Sequence, residues 1–182
     1  MTAGTGRLDW VPALSRADLL GGPVARALYG HDDALVAAID PDLADTAAFC
    51  ATYAVPLEQS ANCVVVAGRR GGDTTLAACV VLATTRVDVN GLVRRHLGAR
   101  KASFASADVA TAETGMEYGG ITPAGLPVDW PLLVDAAVAA SAQVVIGSGL
   151  RGSKLLVAGA WVAALPSAEV IDGLGVPVDE RR

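Results

Sequence analysis

The sequence predicts a mixed α+β domain in which a mixed sheet is flanked by helices. Two β-branched runs, Cys63–Arg69 and Thr74–Thr84, are separated by Arg70-Gly71-Gly72-Asp73, which has the composition of a hairpin turn. Strand-like and helix-like segments otherwise alternate, and an antiparallel hairpin within that series favours a mixed sheet over a doubly wound parallel one. A length of 182 residues suits one domain.

Three regions are expected along the chain. Residues 1–33 form an N-terminal extension with two short helices, because Ser15 suits a helix N-cap and Pro23 suits a first turn. Residues 34–172 form the main domain, and residues 173–182 a C-terminal tail. The ends of the chain, residues 1–6 and 178–182, are expected to be loose.

The spacing of apolar residues and the positions of glycine and proline predict the remaining elements. Apolar residues recur every three or four positions before Pro56, and Gly98 and Gly115 stand where helices end. For one segment the pattern leaves a helix and a strand-to-helix join open. The predicted elements are helices Ser15–Leu20 and Pro23–Tyr29, strand Ala34–Ile39, helix Asp42–Tyr53, the hairpin, helix Asp88–Leu97, strand Lys101–Phe104, helix Ser106–Thr114, the open segment Val134–Ala142, strands Gln143–Ile146 and Ser153–Val157, and helix Ala158–Leu165.

Composition excludes several classes of protein. The apolar runs are shorter than the roughly 20 residues that span a bilayer, and the N-terminus lacks the features of a secretory signal, so a cytoplasmic protein without membrane contact is expected. A net charge of −5 argues against a protein that coats DNA or RNA with its whole surface, although basic residues concentrate in the middle and late chain. The cysteines are widely spaced among apolar residues and the histidines lack partner ligands, so buried thiols and no metal site are expected.

The segment Gly147-Ser148-Gly149-Leu150-Arg151-Gly152 matches the letters of a dinucleotide-binding GxGxxG turn. Its context excludes that role, because a strand rather than a helix is predicted to follow it. Two interpretations remain open. The segment is either a plain tight turn or a turn whose backbone N–H groups hold a phosphate or a developing oxyanion.

The loop Met116–Pro127 contains Gly119-Gly120-Ile121-Thr122-Pro123-Ala124-Gly125-Leu126-Pro127. Glycine lets a backbone approach a ligand closely, and proline holds a loop in one shape before binding. This composition indicates a preformed binding rim. It follows Arg100-Lys101-Ala102-Ser103-Phe104 and a helix that ends at Thr114-Gly115, and in that order the segments resemble the YbaK/EbsC family.

The resemblance extends through Val134-Asp135 and 145–152 and covers roughly residues 34–172. It implies a mixed, partly barrel-like sheet flanked by helices, and an aminoacyl-tRNA deacylase related to the editing domain of prolyl-tRNA synthetase, with no cofactor. The implied substrate is a mischarged tRNA, with tRNA-Pro carrying a small amino acid suggested, and the implied partners are the aminoacyl-tRNA 3′ end and prolyl-tRNA synthetase. Family members carry a lysine where Asn62 stands here, and an amide keeps hydrogen bonding without the charge.

Site residues follow from the resemblance. Backbone N–H groups around the glycines are expected to hold the ester and ribose, while longer side chains meet the terminal nucleotide. Lys101 at a strand start and Asp135 before a helix also suit a solvent-exposed cation and a helix cap. The candidate catalytic residues are Asn62, Gly119, Gly120 and Gly147; the candidate substrate-binding residues are Lys101, Thr122, Pro123, Gly125, Asp135, Ser148, Gly149 and Arg151.

Three functions stay open at this point. The first is ester hydrolysis by positioned water and backbone dipoles, since no GxSxG elbow or Ser-His-Asp pattern is present. The second is a module that binds the aminoacyl-tRNA 3′ end but has lost hydrolysis together with the lysine replaced by Asn62. The third is an unrelated small-molecule hydrolase.

Overall fold

The computed structural model describes residues 6–178, so most of both predicted loose ends, at residues 1–5 and 179–182, lies outside the described range. The strands are β1 Val11–Pro12, β2 Leu35–Ala38, β3 Ala61–Arg70, β4 Asp73–Leu82, β5 Thr85–Val87, β6 Lys101–Phe104, β7 Leu132–Asp135, β8 Val144–Gly147, β9 Ser153–Val157, β10 Ala168–Ile171 and β11 Gly175–Pro177. The α-helices are α1 Gly22–Ala27, α2 Thr46–Tyr53, α3 Arg94–His96, α4 Ala107–Thr114, α5 Ala136–Ala139 and α6 Gly159–Ala163.

The hairpin of β3 and β4 is the longest pairing, from Ala61 opposite Leu82 to Arg70 opposite Asp73. Gly71 in its turn has φ +64°, a left-handed conformation that glycine adopts without steric cost. The predicted hairpin is therefore present, with its turn at the predicted residues.

Two larger sheets are built around this hairpin. One has the order β10-β7-β4-β3-β6, in which β7 runs parallel to β4 and β10, and the other is β1-β2-β9-β8 with antiparallel pairing. The two sheets meet where Ser60, just before β3, forms a parallel bridge with Val145 of β8. The predicted mixed α+β class is confirmed.

The main core lies between the inner faces of the two sheets. Val80 on β4 and Leu132 on β7 face Val36 and Leu155 of the four-stranded sheet, and all are at most 3% exposed. Alternation along each strand sends every second side chain into this layer. Helix α1 closes one side of it with Val24, which is fully buried.

Each sheet carries a helical segment on its outer face. Phe49 of α2 packs on Val145 and Leu156 of the four-stranded sheet. Val93 packs on the five-stranded sheet at the junction of a π-helical turn, Val89–Val93, and α3. The start of α2 lies beside the start of β3, where Thr46 contacts Asn62, and the end of β6 pairs with the middle of that strand, Phe104 opposite Val66.

Several elements differ from the prediction. The segment 134–142 is the strand-to-helix join, since β7 runs directly into α5. The predicted helix Ser15–Leu20 is two 3₁₀ turns, at Ala13–Ser15 and Ala17–Leu19. Strands β1, β5, β10 and β11 were not predicted, because each has at most four residues and little alternation. Leu174 is fully buried, so the start of the predicted tail packs on the domain.

Candidate functional site

A cleft of about 560 Å³ opens beside the first half of β3, where β6 no longer covers that strand. The start of α2, the end of β6, the start of α4 and the turn after β8 form its walls. Its lining residues are Ala44, Asp45, Thr46, Ala61, Asn62, Cys63, Val64, Val65, Phe104, Ala105, Ala107, Ala110, Tyr118, Gly119, Ile121, Gly147, Arg151 and Lys154.

Lys154 is a buried cation of this cleft. It lies within β9, every residue of which is buried, and is itself 8% exposed. Its Nζ donates to the backbone oxygen of Ala44 at 3.1 Å and lies 5.1 Å from the centroid of the Phe49 ring. Desolvation by burial lowers the pKa of this amine below 10.5. Within residues 6–178 the ammonium group makes one hydrogen bond, to Ala44. Because an ammonium group has three N–H donors, the others remain for a bound group.

Asn62 and Thr46 form a polar pair in the wall opposite the loop. The hydroxyl of Thr46 donates to the side-chain oxygen of Asn62 at 2.5 Å. Thr46 is placed by Asp45, whose carboxylate caps α2 by accepting from the amides of Ala47 and Ala48. Because the side-chain oxygen of Asn62 already accepts from Thr46, the side-chain amino group is the part of Asn62 that can donate to a ligand.

Two aromatic rings at the cleft are exposed to solvent. Phe104 at the end of β6 is 60% exposed and Tyr118 in the loop is 63% exposed, although large rings are usually buried. Arg151 lines the cleft beside Tyr118, donating from its side chain to that residue's backbone oxygen at 3.3 Å. The amide of Arg151 donates to the Glu117 carboxylate at 2.6 Å, which ties the two loops together.

The glycines bring two backbones into contact. A Cβ on Gly147 would lie 2.6 Å from the oxygen of Gly120, and a Cβ on Gly120 would lie 2.5 Å from the backbone of Leu150. The amide of Gly149 donates to the Gly120 oxygen at 2.8 Å, and the amide of Gly120 donates to the Glu117 oxygen at 2.9 Å. These two amides therefore hold the loops together rather than pointing at a ligand.

The structure brings four of the sequence-predicted site residues into the cleft: Asn62, Gly119, Gly147 and Arg151. Others lie behind the wall. Ser148 is fully buried and lies within hydrogen-bonding distance of Ser153, at 2.7 Å between hydroxyl oxygens. The remaining predicted members of the loops, none of which lines the cleft, are Gly120, Thr122, Pro123, Gly125 and Gly149.

Two predicted residues lie elsewhere. The carboxylate of Asp135 accepts from the amides of Ala137 at 2.8 Å and Gly175 at 2.7 Å, so it caps α5 and anchors β11. Lys101 is exposed at the opposite end of β6 from Phe104. Neither residue lines the cleft.

Sequence reasoning did not single out Lys154, Thr46, Phe104 or Tyr118 as site residues. Lys154 carried a weak signal, because it lies in a predicted strand directly before the apolar residues 155–157, and lysine is rarely buried without a function or a partner. Thr46 carried none, since its role depends on a contact across 16 positions of sequence.

The thiols lie in apolar surroundings. Burial raises the pKa of Cys79 to about 12 and also raises the pKa of Cys63, which packs against the main core. Such thiols are poor nucleophiles at neutral pH. Among residues 6–178, no three His, Cys, Asp or Glu side chains form a group suited to a metal. In the same range no helix is long and apolar enough to cross a bilayer.

Comparison with known proteins identifies the fold and the family. The protein known as a candidate trans-editing enzyme for prolyl tRNA synthetase superposes with a TM-score of 0.69 at 20% identity, covering 89% of this chain and 96% of its own. The hypothetical protein APE2540 gives a TM-score of 0.73 at 18% identity, covering 85% and 99%. At such identities these likenesses show the shared fold. The family model of the aminoacyl-tRNA editing domain matches residues 40–164, which include every residue lining the cleft. The chain belongs to the aminoacyl-tRNA editing domain family, as the resemblance to YbaK indicated.

Proposed function

We propose that the cleft hydrolyses the ester between an amino acid and the 3′-terminal ribose of a mischarged tRNA. The observation that carries the proposal is the buried amine of Lys154 in a cleft of about 560 Å³, within an aminoacyl-tRNA editing domain. Within residues 6–178 this amine forms no ion pair with a carboxylate. A buried cation of that kind is expensive to maintain, and such groups concentrate at functional sites.

The reaction needs stabilisation of negative charge. Water adds to the ester carbonyl, the carbonyl oxygen becomes an oxyanion, and the bond to the ribose oxygen then breaks. The ribose leaves as a hydroxyl after taking up a proton, and the amino acid is released as its carboxylate. N–H donors of Lys154 at the floor of the cleft suit the oxyanion, because a poorly hydrated donor acts more strongly than one in water.

Lys154 also accounts for the departure at Asn62. The resemblance associates the position of Asn62 with a lysine, and here a buried lysine that lines the cleft comes from β9 instead. Asn62 keeps a hydrogen-bonding role, with its oxygen held by Thr46 and its amino group available to a ribose hydroxyl. Lys154 on β9 thus supplies the positive charge and Asn62 on β3 supplies the hydrogen bonds, two roles that the family lysine would combine in one side chain.

The mouth of the cleft suits the terminal nucleotide. Exposed Phe104 and Tyr118 offer faces on which bases stack, and each base–aromatic stack contributes roughly 1–3 kcal/mol. Arg151 supplies a second cation beside them. Gly119 and Gly147 carry no side chain, which keeps the opposite wall close to the ribose.

The inner lining suits a small amino acid. Alanines dominate the walls beside Val65, and Ile121 is the largest aliphatic side chain among the lining residues. Exclusion by size alone separates substrates that differ by one methylene by only about 1–3 kcal/mol. We therefore propose alanyl-, seryl- and cysteinyl-tRNA as the substrates to test first, with tRNA-Pro as carrier.

The test compares deacylation of this panel by the wild type, Lys154→Met and Arg26→Met. Arg26 is an exposed cation of α1 that does not line the cleft, so its variant is the matched control. Turnover that Lys154→Met loses and Arg26→Met keeps supports hydrolysis at this cleft. Saturable binding of the charged 3′ end without turnover by the wild type would contradict it and favour the binding module.

A further inference from the structure

A second concavity, of about 450 Å³, lies beside β6 and is lined by basic side chains. We call it the basic hollow. Its lining residues are Arg69, Asn90, Arg94, Arg100, Lys101, Ala102 and Ser103. No carboxylate is among them, although the whole chain has a net charge of −5.

The cations of the basic hollow are not neutralised by the described part of the protein. Arg69 donates to the hydroxyl of Ser103 at 3.2 Å, and Arg94 donates to the backbone oxygen of Asn90 at 2.8 Å. Within residues 6–178 the ion pairs join Arg16 to Asp18 and His96 to Glu169, and neither involves the hollow. Free N–H donors and unopposed positive charge therefore face one concavity.

Strand pairing places these charges side by side. Arg69 of β3 lies directly opposite Lys101 of β6, so their side chains leave the same face of the sheet. Arg100 also lines a neighbouring concavity together with Arg70 and the acidic Asp73. The lining without a carboxylate is therefore that of the basic hollow, and the end of the hairpin beside it carries charges of both signs.

Strand β6 connects the basic hollow to the cleft. Lys101 at its first position lines the hollow, and Phe104 at its last position lines the cleft. Three steps of about 3.3 Å place these residues roughly 10 Å apart. Residues three positions apart on a strand point to opposite faces of the sheet, but β6 is the edge strand of its sheet, so an extended ligand can reach both cavities by passing over this edge.

We propose that the basic hollow binds backbone phosphates of the RNA whose 3′ end enters the cleft. Guanidinium groups suit phosphates because their N–H groups form a planar fork that matches two oxygens. The lining contains no aromatic ring, which fits contacts to the backbone rather than to bases. The identity of the RNA as an aminoacyl-tRNA rests on the proposed function, whereas binding of the polyanion rests on the hollow itself.

The test measures the affinity of unfractionated deacylated tRNA at several KCl concentrations. The variant is Arg69→Gln with Lys101→Gln, which removes an exposed cross-strand pair of cations without changing the core. The control is Arg26→Gln with Arg86→Gln, which removes two exposed charges outside the hollow. We expect at least a tenfold weaker Kd for the variant alone. The slope of log K against log salt should fall by about 0.7–0.9 for each phosphate that the variant no longer neutralises.

A second substrate separates this proposal from the proposed function. Alanyl-adenosine, esterified at the ribose and lacking phosphates, should be hydrolysed equally by the wild type and by the Arg69/Lys101 variant. A weaker Kd with a smaller salt slope supports the basic hollow even if no ester is hydrolysed. An unchanged Kd and salt slope in the Arg69/Lys101 variant overturns it even if deacylation is efficient.

Discussion

Replacement of Lys154 by methionine separates the chemistry of the cleft from the stability of the fold. Methionine has a similar length and is apolar, so it fills the space on β9 without the ammonium group. The substitution removes the N–H donors that line the cleft, the hydrogen bond to Ala44 and the interaction with the ring of Phe49.

The structure indicates opposite effects on activity and stability. Loss of one preorganised oxyanion donor lowers kcat by about 10²–10³-fold, which corresponds to roughly 2.7–4 kcal/mol. Lys154 is 8% exposed, so burial of its charge opposes folding, and its removal should leave stability unchanged or increase it. We therefore expect deacylation to fall at least about 10²-fold while Tm does not fall.

The pH dependence of stability provides an internal check. Burial lowers the folded pKa of Lys154 below 10.5, so between that lowered pKa and 10.5 the unfolded chain binds more protons than the folded protein. Wild-type stability should therefore gain a contribution as pH rises through this window, and Lys154→Met should lack it. Urea unfolding of both proteins at neutral pH and near pH 10.5 measures the difference.

Two results would refute the reasoning. If Lys154→Met retains kcat within about twofold of the wild type, the amine has no part in hydrolysis, since even one oxyanion donor contributes far more. A large loss of Tm in the variant would instead show that the amine stabilises the fold through Ala44 and Phe49. Single-turnover deacylation and thermal unfolding, measured on the same preparations, distinguish the two.

Three further substitutions probe the surroundings of the cleft. Phe104→Ala should weaken binding of charged tRNA by roughly 1–3 kcal/mol in equilibrium titrations with little change in Tm, because the ring is 60% exposed; unchanged affinity would exclude stacking on this ring. Gly147→Ala would place a Cβ 2.6 Å from the Gly120 oxygen, so urea unfolding should show a loss of about 1–3 kcal/mol together with reduced turnover. If Gly147→Ala has the stability and turnover of the wild type, the two loops move apart at little cost. Thr122→Val replaces a fully buried hydroxyl that has no hydrogen-bond partner within residues 6–178, and should stabilise the protein by about 1 kcal/mol; a lower Tm would show that the hydroxyl is satisfied after all.

Local patterns were sufficient for the hairpin and for the ends of several helices. Gly71 in the hairpin turn and Gly115 after α4 both adopt positive φ, as turn and C-cap positions require. The short strands β10 and β11 escaped prediction for a physical reason. They form through pairing with β7 and β5, so their conformation depends on residues far away in sequence.

The sequence predicted the glycine-containing loops of the candidate site but not the buried lysine that lines it. The glycines of both loops were identified because close backbone approach requires them, and Gly119 and Gly147 do line the cleft. The position of Lys154 depends on the pairing of β9 with β2 and β8 and on the packing of α2, which periodicity does not encode. Lys154 and Asn62 come to line one cleft only in the folded protein.

The central claim is hydrolysis of an aminoacyl ester with Lys154 as the buried donor. Its most direct test is single-turnover deacylation of alanyl-tRNA-Pro by the wild type and by folded Lys154→Met. The account predicts release of alanine by the wild type and a loss of about 10²-fold or more in the variant. Equal rates for the two proteins would contradict it.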